Sequence, residues 1–137
     1  MTRMLVVDDD PAWRALYRMA FEDHFEIFEA SDGQQGLSIL DSVNPDVILL
    51  DLRMARMDGL DFIKRVDHRG NHAPIVVCSG TLIEGEQPAI PGVRLTRKSP
   101  DLRDLWDALR DAVPEVGDLA PATKATTVPV EDTYWRD

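Results

Sequence analysis

Short apolar runs alternate along the chain with stretches in which apolar residues recur every three or four positions. The runs predict buried strands and the stretches between them predict amphipathic helices. The predicted strands are residues 4–7, 25–30, 47–50, 74–78 and 93–96. Strands that alternate with helices pair in parallel, because each helix returns the chain to the edge where the previous strand began. The pattern therefore predicts an α/β fold with helices on both faces of one parallel sheet.

Helix signals separate these strands. Asp10 precedes Pro11 and Asp58 follows a loop, so each of these two aspartates is a predicted N-cap. Ser31-Asp32-Gly33 predicts a turn into another helix. The run Ser99-Pro100-Asp101 predicts the start of a last helix. The predicted apolar faces are Trp13, Leu16, Tyr17, Ala20 and Phe21; Leu37, Leu40 and Val43; Leu60, Ile63 and Val66; and Leu102, Leu105, Trp106, Leu109 and Val113. Residues 81–92 hold two prolines and two glycines and predict no clear helix.

Composition narrows the class of protein. The chain has 137 residues, which suits one domain. Its 25 acidic and 15 basic residues give a net charge of −10, which disfavours direct nucleic-acid binding and docking on anionic membranes. Cys78 is the only cysteine, so we expect a reducing, cytoplasmic setting. We expect a structured domain over residues 1–113 and a flexible C-terminal tail over 114–137, where three prolines and four threonines accompany few large apolar residues.

Charged and polar residues follow the predicted strands. Asp8, Asp9 and Asp10 follow the first strand, Asp51 the third, Ser79 the fourth and Lys98 the fifth. The carboxyl ends of parallel strands meet at one edge of the sheet. Carboxylates about 5 Å apart repel by roughly 3 kcal/mol per pair at an effective dielectric constant near 20. A hard cation such as Mg²⁺ relieves that repulsion, and a carboxylate beside it, facing a lysine and a hydroxyl, can accept a phosphoryl group.

Four runs of sequence together resemble the receiver domain of two-component response regulators. They are LVVDDDP at 5–11, VILLDLRMARMDG at 47–59, PIVVCSG at 74–80 and TRKSP at 96–100. The resemblance covers about residues 3–112. It implies a flavodoxin-like, doubly wound sheet of five parallel strands in the order 2-1-3-4-5. Residues 81–92 are a few residues short and poor in helix formers, so we expect the fourth helix of the family to be shortened or absent.

The resemblance also implies roles for individual residues. Asp51 is the expected phosphoacceptor, supplied by a sensor histidine kinase or a phosphotransfer protein. Lys98 is its basic partner and Ser79 the switch hydroxyl. The expected Mg²⁺ ligands are Asp8, Asp9, Asp51 and the backbone carbonyl of Arg53. Catalysis is then limited to the domain's own phosphorylation and dephosphorylation.

Several positions depart from the family pattern. Ala55 stands where the family has a proline, and Ser99 separates Lys98 from Pro100, which puts the usual cis turn in question. Leu95 occupies the position of the usual switch aromatic. These departures leave open a receiver-like interaction module that works without phosphorylation. Asp8-Asp9-Asp10 also contains the Asp-x-Asp of haloacid dehalogenase-type phosphatases, although Ala12 does not match the residue that follows there.

We expect a stand-alone receiver whose phosphorylation changes a protein–protein surface read by a downstream target protein. A homodimer is one arrangement open to it.

Overall fold

A computed structural model describes residues 1–54, 57–80 and 91–114. Its strands are β1 (Thr2–Val7), β2 (Phe25–Ala30), β3 (Val47–Leu50), β4 (Ile75–Ser79) and β5 (Val93–Arg97). Its helices are α1 (Pro11–Phe21), α2 (Gly33–Val43), α3 (Gly59–His68) and α4 (Arg103–Ala112). All strand pairs are parallel, and their order is β2-β1-β3-β4-β5. The predicted flavodoxin-like α/β fold and its strand order are confirmed.

Three helices begin where the sequence predicts. The side chains of Asp10, Asp32 and Asp58 accept hydrogen bonds from backbone N–H groups two or three residues later. Each bond satisfies a donor that the first helical turn leaves without a partner. Asn44 ends α2 in the left-handed conformation, with φ of 48°, just before Pro45. These capping residues fix where α1, α2 and α3 begin and where α2 ends.

The two faces of the sheet pack against different helices. Alternate residues of the strands contact α1 and α4 on one face, including Met4, Val6 and Leu49. The residues between them contact α2 and α3 on the other face, as Leu5 and Val7 do. The two central strands, β1 over its last four residues and β3 over its whole length, are buried on both faces. Burial on both faces explains why these runs are apolar throughout rather than alternating.

Two sequence predictions about the helices are wrong. Leu60 was expected to face inward, but it is 39% exposed, and Phe62 is fully buried in its place. The last helix begins at Arg103 after Leu102, which has a φ of 57° and makes no side-chain cap. Asp101 still contributes, because its carboxylate accepts a hydrogen bond from the backbone N–H of Arg103 at 3.0 Å.

Several expectations fall on residues outside the described ranges. They concern Ala55, nearly all of the segment between β4 and β5, and the tail beyond Pro114. Over the described residues, no peptide bond is cis, including the one that joins Ser99 to Pro100. No helix in the described part of the chain has the length and apolarity to cross a membrane.

Candidate functional site

The residues that directly follow β1, β3 and β5 lie at the same edge of the sheet and make backbone hydrogen bonds to the neighbouring strands. The backbone N–H of Asp8 donates to the carbonyl of Ala30 at 3.1 Å, and that of Asp51 donates to Val7 at 3.0 Å. The backbone N–H of Lys98 donates to the carbonyl of Ser79 at 3.0 Å. These hydrogen bonds continue the parallel pairing beyond β1, β3 and β5. They fix the backbones of the three ionisable residues at the carboxyl ends of the strands.

Lys98 joins the two buried carboxylates. Its Nζ atom lies 2.9 Å from Asp8 Oδ2 and 3.2 Å from Asp51 Oδ2. The Lys98 side chain is only 10% exposed, and those of Asp8 and Asp51 are 2% and 8% exposed. One ammonium therefore faces two carboxylates away from water, which leaves an excess of one negative charge in the cluster.

Burial and pairing shift two of these groups. Burial raises the pKa of the Asp8 carboxyl, despite the hydrogen bond from the backbone N–H of Asp10 and the nearby Lys98 ammonium, both of which lower it. Burial alone would lower the pKa of Lys98, but its pairing with Asp8 and Asp51 outweighs that effect and raises it. Lys98 is thus held in its charged form at neutral pH. One ammonium faces two buried carboxylates, so the charged form of Asp8 is less favourable here than it would be in water.

The acidic cluster fits a divalent cation. Asp8, Asp9 and Asp51 each offer a carboxylate oxygen, and these atoms all lie within 4.8 Å of one another. Asp8 Oδ2 is buried and makes no hydrogen bond of normal geometry within the described part of the chain, although Lys98 lies beside it. Asp9 is exposed, which leaves the cluster open to solvent on one side. Oxygen ligands with room for water are the set that Mg²⁺ prefers.

The two other predicted residues lie at the same edge. Ser79 is 1% exposed at the end of β4, where it pairs with Arg97, the residue before Lys98. The backbone N–H of Arg53 donates to Asp51 Oδ1 at 3.2 Å, so the backbone turns after Asp51 and places Arg53 beside the carboxylate. The structure therefore brings together the strand ends that carry all six predicted site residues.

Sequence reasoning missed a second layer of charged contacts. Arg14, on α1, donates to the backbone carbonyl of Asp8 at 2.6 Å and to Glu29, on β2, at 3.2 Å. Arg18 also pairs with Glu29, at 2.7 Å. Two arginines four residues apart mark one face of α1, but nothing in the sequence assigns Glu29 to them. This network ties the loop that carries the acidic pair, Asp8 and Asp9, to the neighbouring strand.

Trp13 packs on the apolar face of α1, as the sequence predicts, and also reaches the site. It is partly buried against the α1 and α4 core, and the Lys98 ammonium lies over its ring, 4.9 Å from the ring centroid. Trp106, predicted alongside it, is a core residue with 3% exposure. Cys78 is buried as expected, and burial raises the pKa of its thiol.

Comparison with known proteins gives the family. The family model for the response regulator receiver domain matches residues 4–90. The chain is 33% identical over 129 residues to the positive alginate biosynthesis regulatory protein of Pseudomonas aeruginosa, covering 88% of this chain and 51% of that protein. It is 31% identical over 151 residues to a protein-glutamate methylesterase/protein-glutamine glutaminase of Cereibacter sphaeroides, covering 91% of this chain and 40% of that protein. The chain thus spans about half or less of the length of these relatives.

Solved structures share the fold. The chemotaxis protein CheY4 of Vibrio cholerae superposes with a TM-score of 0.73 at 24% identity, covering 82% of this chain and 98% of that one. The response regulator TrrA of Thermotoga maritima, solved in complex with Mg²⁺ and BeF, gives a TM-score of 0.74 at 24% identity, with 82% and 99% coverage. At this identity the likeness shows the fold alone.

Proposed function

Since the chain belongs to the family of response regulator receiver domains, we propose that Asp51 is the phosphoacceptor of a switch in two-component signalling. The observation that carries this proposal is the placement of the Lys98 ammonium between the carboxylates of Asp8 and Asp51 at the carboxyl edge of the sheet. A buried carboxylate paired with a cation contributes little net stability to a fold, so stability alone does not explain this arrangement. The arrangement does suit a carboxylate whose charge changes during a reaction. We assign this function to residues 1–113.

The proposed reaction is a phosphoryl transfer to Asp51. A carboxylate oxygen of Asp51 forms a bond to phosphorus while the bond between phosphorus and a histidine nitrogen of the donor breaks. The electron pair of that bond stays on the imidazole nitrogen. The donor is a sensor histidine kinase or a phosphotransfer protein. Hydrolysis of the acyl phosphate returns Asp51 to its carboxylate.

Lys98 and Ser79 have complementary roles in this proposal. The Lys98 ammonium, held in its charged form, would neutralise charge on a phosphoryl oxygen. The Ser79 hydroxyl would donate a hydrogen bond to another phosphoryl oxygen. Support comes from the position of Ser79 at the end of β4, hydrogen-bonded through its carbonyl to the backbone of Lys98.

The proposed metal is Mg²⁺, held by the carboxylates of Asp8, Asp9 and Asp51 and by the backbone carbonyl of Arg53. When bound, the ion supplies positive charge that neutralises the transferring oxygens. Arg14 supports the site by binding the backbone carbonyl of Asp8, which keeps the acidic pair at the edge of the sheet.

Phosphorylation would act by shifting an equilibrium between two conformations and so changing a protein–protein surface. The partner that reads this surface is a downstream target protein, or a second copy of the chain. Methylesterase activity belongs to a relative of which this chain spans 40%, and we do not propose it here.

The test is uptake of phosphate from acetyl phosphate with Mg²⁺, followed by intact-protein mass spectrometry. We expect a gain of one phosphoryl group that hydroxylamine removes, as it does from acyl phosphates. Asp51→Asn should abolish the gain. Asp61→Asn changes an exposed aspartate in the first turn of α3 and should leave it intact.

Absence of any gain in the wild-type protein would contradict the proposal. It would favour the phosphorylation-independent interaction module. The observation that supports this alternative is Leu95, which is half-buried and stands where the family has its switch aromatic.

A further inference from the structure

Trp13 lies in the first turn of α1 and contacts Lys98 of the proposed phosphorylation site. The Lys98 ammonium lies over its ring at 4.9 Å from the centroid. The indole also lies near the ring of Tyr17, with ring centroids 5.8 Å apart. Tyr17 is almost fully buried in the core. The indole is therefore anchored by the core and presents a face to the lysine.

Lys98 is held in the site by the contacts of its ammonium. Its side chain is a flexible four-carbon stem, and Ser99 follows it where a proline would stiffen the chain. Besides the indole, the ammonium contacts the carboxylates of Asp8 and Asp51. A cation–π contact is strongest with tryptophan and strengthens when the cation is shielded from water, as it is for this 10% exposed side chain. Trp13 is thus an uncharged partner of this ammonium in the site.

The charged partners of Lys98 change during the proposed reaction. When a carboxylate oxygen of Asp51 bonds to phosphorus, the charge that pairs with Lys98 moves outward onto the phosphoryl oxygens. The ammonium must follow that charge without leaving the pocket. The face of Trp13 carries no formal charge, so its attraction for the ammonium persists through the transfer.

We propose that Trp13 is a positioning residue for phosphoryl transfer, because its indole face holds the Lys98 ammonium in the pocket while Asp51 changes charge. This inference rests on the proposed function and extends it to a residue that does not touch the reacting atoms. The competing explanation is that Trp13 merely packs α1 onto the core through Tyr17.

A double-mutant cycle separates these explanations. The variants are Trp13→Leu, Lys98→Met and the two combined, with the rate of phosphorylation by acetyl phosphate in Mg²⁺ followed by intact mass. We expect Trp13→Leu to lower the maximal rate about three- to tenfold, the size of one cation–π contact. The half-saturating donor concentration should stay unchanged. In the Lys98→Met background, Trp13→Leu should have almost no further effect.

Two further variants test specificity. Trp13→Phe keeps an aromatic face and should restore most of the rate. Trp106→Phe alters a core tryptophan that packs against Phe21, at 4.7 Å between ring centroids, and should leave the rate unchanged. Equal slowing by Trp13→Leu in both backgrounds, or slowing by Trp13→Phe as large as by Trp13→Leu, would overturn the proposal.

The same cycle measured by urea unfolding, without donor or metal, distinguishes failure of this inference from failure of the proposed function. Coupling between Trp13 and Lys98 in unfolding, together with no phosphate uptake by the wild type, would reject phosphoacceptor function and leave the contact as a purely structural one. Phosphate uptake without coupling in either measurement would reject only the role of Trp13.

Discussion

At the scale of residues, the site is a cluster of three buried charges that do not cancel. Lys98 neutralises one of the two buried carboxylates, and Asp9 adds a third carboxylate at the exposed side. Such a cluster is costly to keep in a fold, because removing charge from water is unfavourable unless it is paired. Its existence at one edge of the sheet is best explained by a ligand that brings positive charge and by a reaction that moves negative charge.

Lys98→Met should destabilise the fold at neutral pH in the absence of Mg²⁺. The change leaves two buried carboxylates without their cation, and losing one partner of a buried pair costs about 3 kcal/mol. Urea unfolding measures the loss. Lys64→Met, at an exposed position on α3, is the matched control and should change the free energy of unfolding by less than about 0.5 kcal/mol.

The difference between wild type and Lys98→Met should also depend on pH. The pKa of Lys98 is raised by folding above its ordinary value of 10.5. Its stabilising contribution is therefore fully present below that value and is lost as the pH rises through the folded-state pKa. Unfolding curves collected from neutral to strongly alkaline pH should converge for the two proteins. A gap that widens with rising pH would contradict the assigned pairing.

At the scale of elements, the loop between β3 and α3 carries Asp51 and Arg53 and is held by a close backbone contact. The backbone N–H of Gly59 donates to the carbonyl of Leu52 at 2.8 Å. A Cβ atom at Gly59 would lie 2.7 Å from the Cα atom of Leu52 and 3.2 Å from the Asp51 carbonyl oxygen. The start of α3 is therefore packed directly on the backbone of Asp51 and Leu52.

Gly59→Ala should displace this loop, because backbone atoms cannot yield as a flexible side chain can. We expect a loss of about 1–3 kcal/mol in the free energy of unfolding, typical of overpacking, and slower phosphorylation by acetyl phosphate. Thermal or urea unfolding and intact mass give the two readouts. Gly80→Ala is the control for stability, since a Cβ atom there meets no atom of residues 1–54, 57–80 and 91–114 within 4 Å. Equal stability of the two alanine variants would show that the loop adapts.

At the scale of the whole molecule, the strand order brings distant parts of the chain to one edge. β1 lies between β2 and β3, so Asp8 and Asp51 follow neighbouring strands although they are 43 positions apart in the chain. The net charge of −10 adds a general attraction for cations to this edge. A cation that binds the folded edge and not the unfolded chain stabilises the molecule as a whole.

Mg²⁺ should therefore raise the unfolding temperature, and chelation should reverse the effect. At a concentration one hundred times the dissociation constant, the gain is about 2.7 kcal/mol. Asp8→Asn should abolish the gain. Asp41→Asn, an exposed aspartate on α2, should keep it. Stabilisation of Asp8→Asn as large as that of the wild type would place the cation elsewhere.

Much of the fold and the site could be predicted from the sequence, because strands, caps and the strand-end residues are local properties. Buried central strands are apolar throughout, and Asp10, Asp32 and Asp58 cap helices through bonds to residues next to them in the chain. The motif spacing then placed Asp8, Asp51 and Lys98 on one edge, since parallel strands end together. These inferences need only the spacing of apolar residues along the chain and the fact that parallel strands end at the same edge of a sheet.

Which side chains face inward on α3, and which side chains meet at the site, depended on how the helices pack on the sheet. Whether Leu60 or Phe62 faces inward is decided by the rotation of α3 against β3, and both residues are apolar, so periodicity alone could not choose. Likewise, Trp13 fits the apolar stripe of α1, yet its ring meets an ammonium that arrives from β5, far along the chain. Contacts between side chains of distant segments follow from packing geometry, which no local pattern contains.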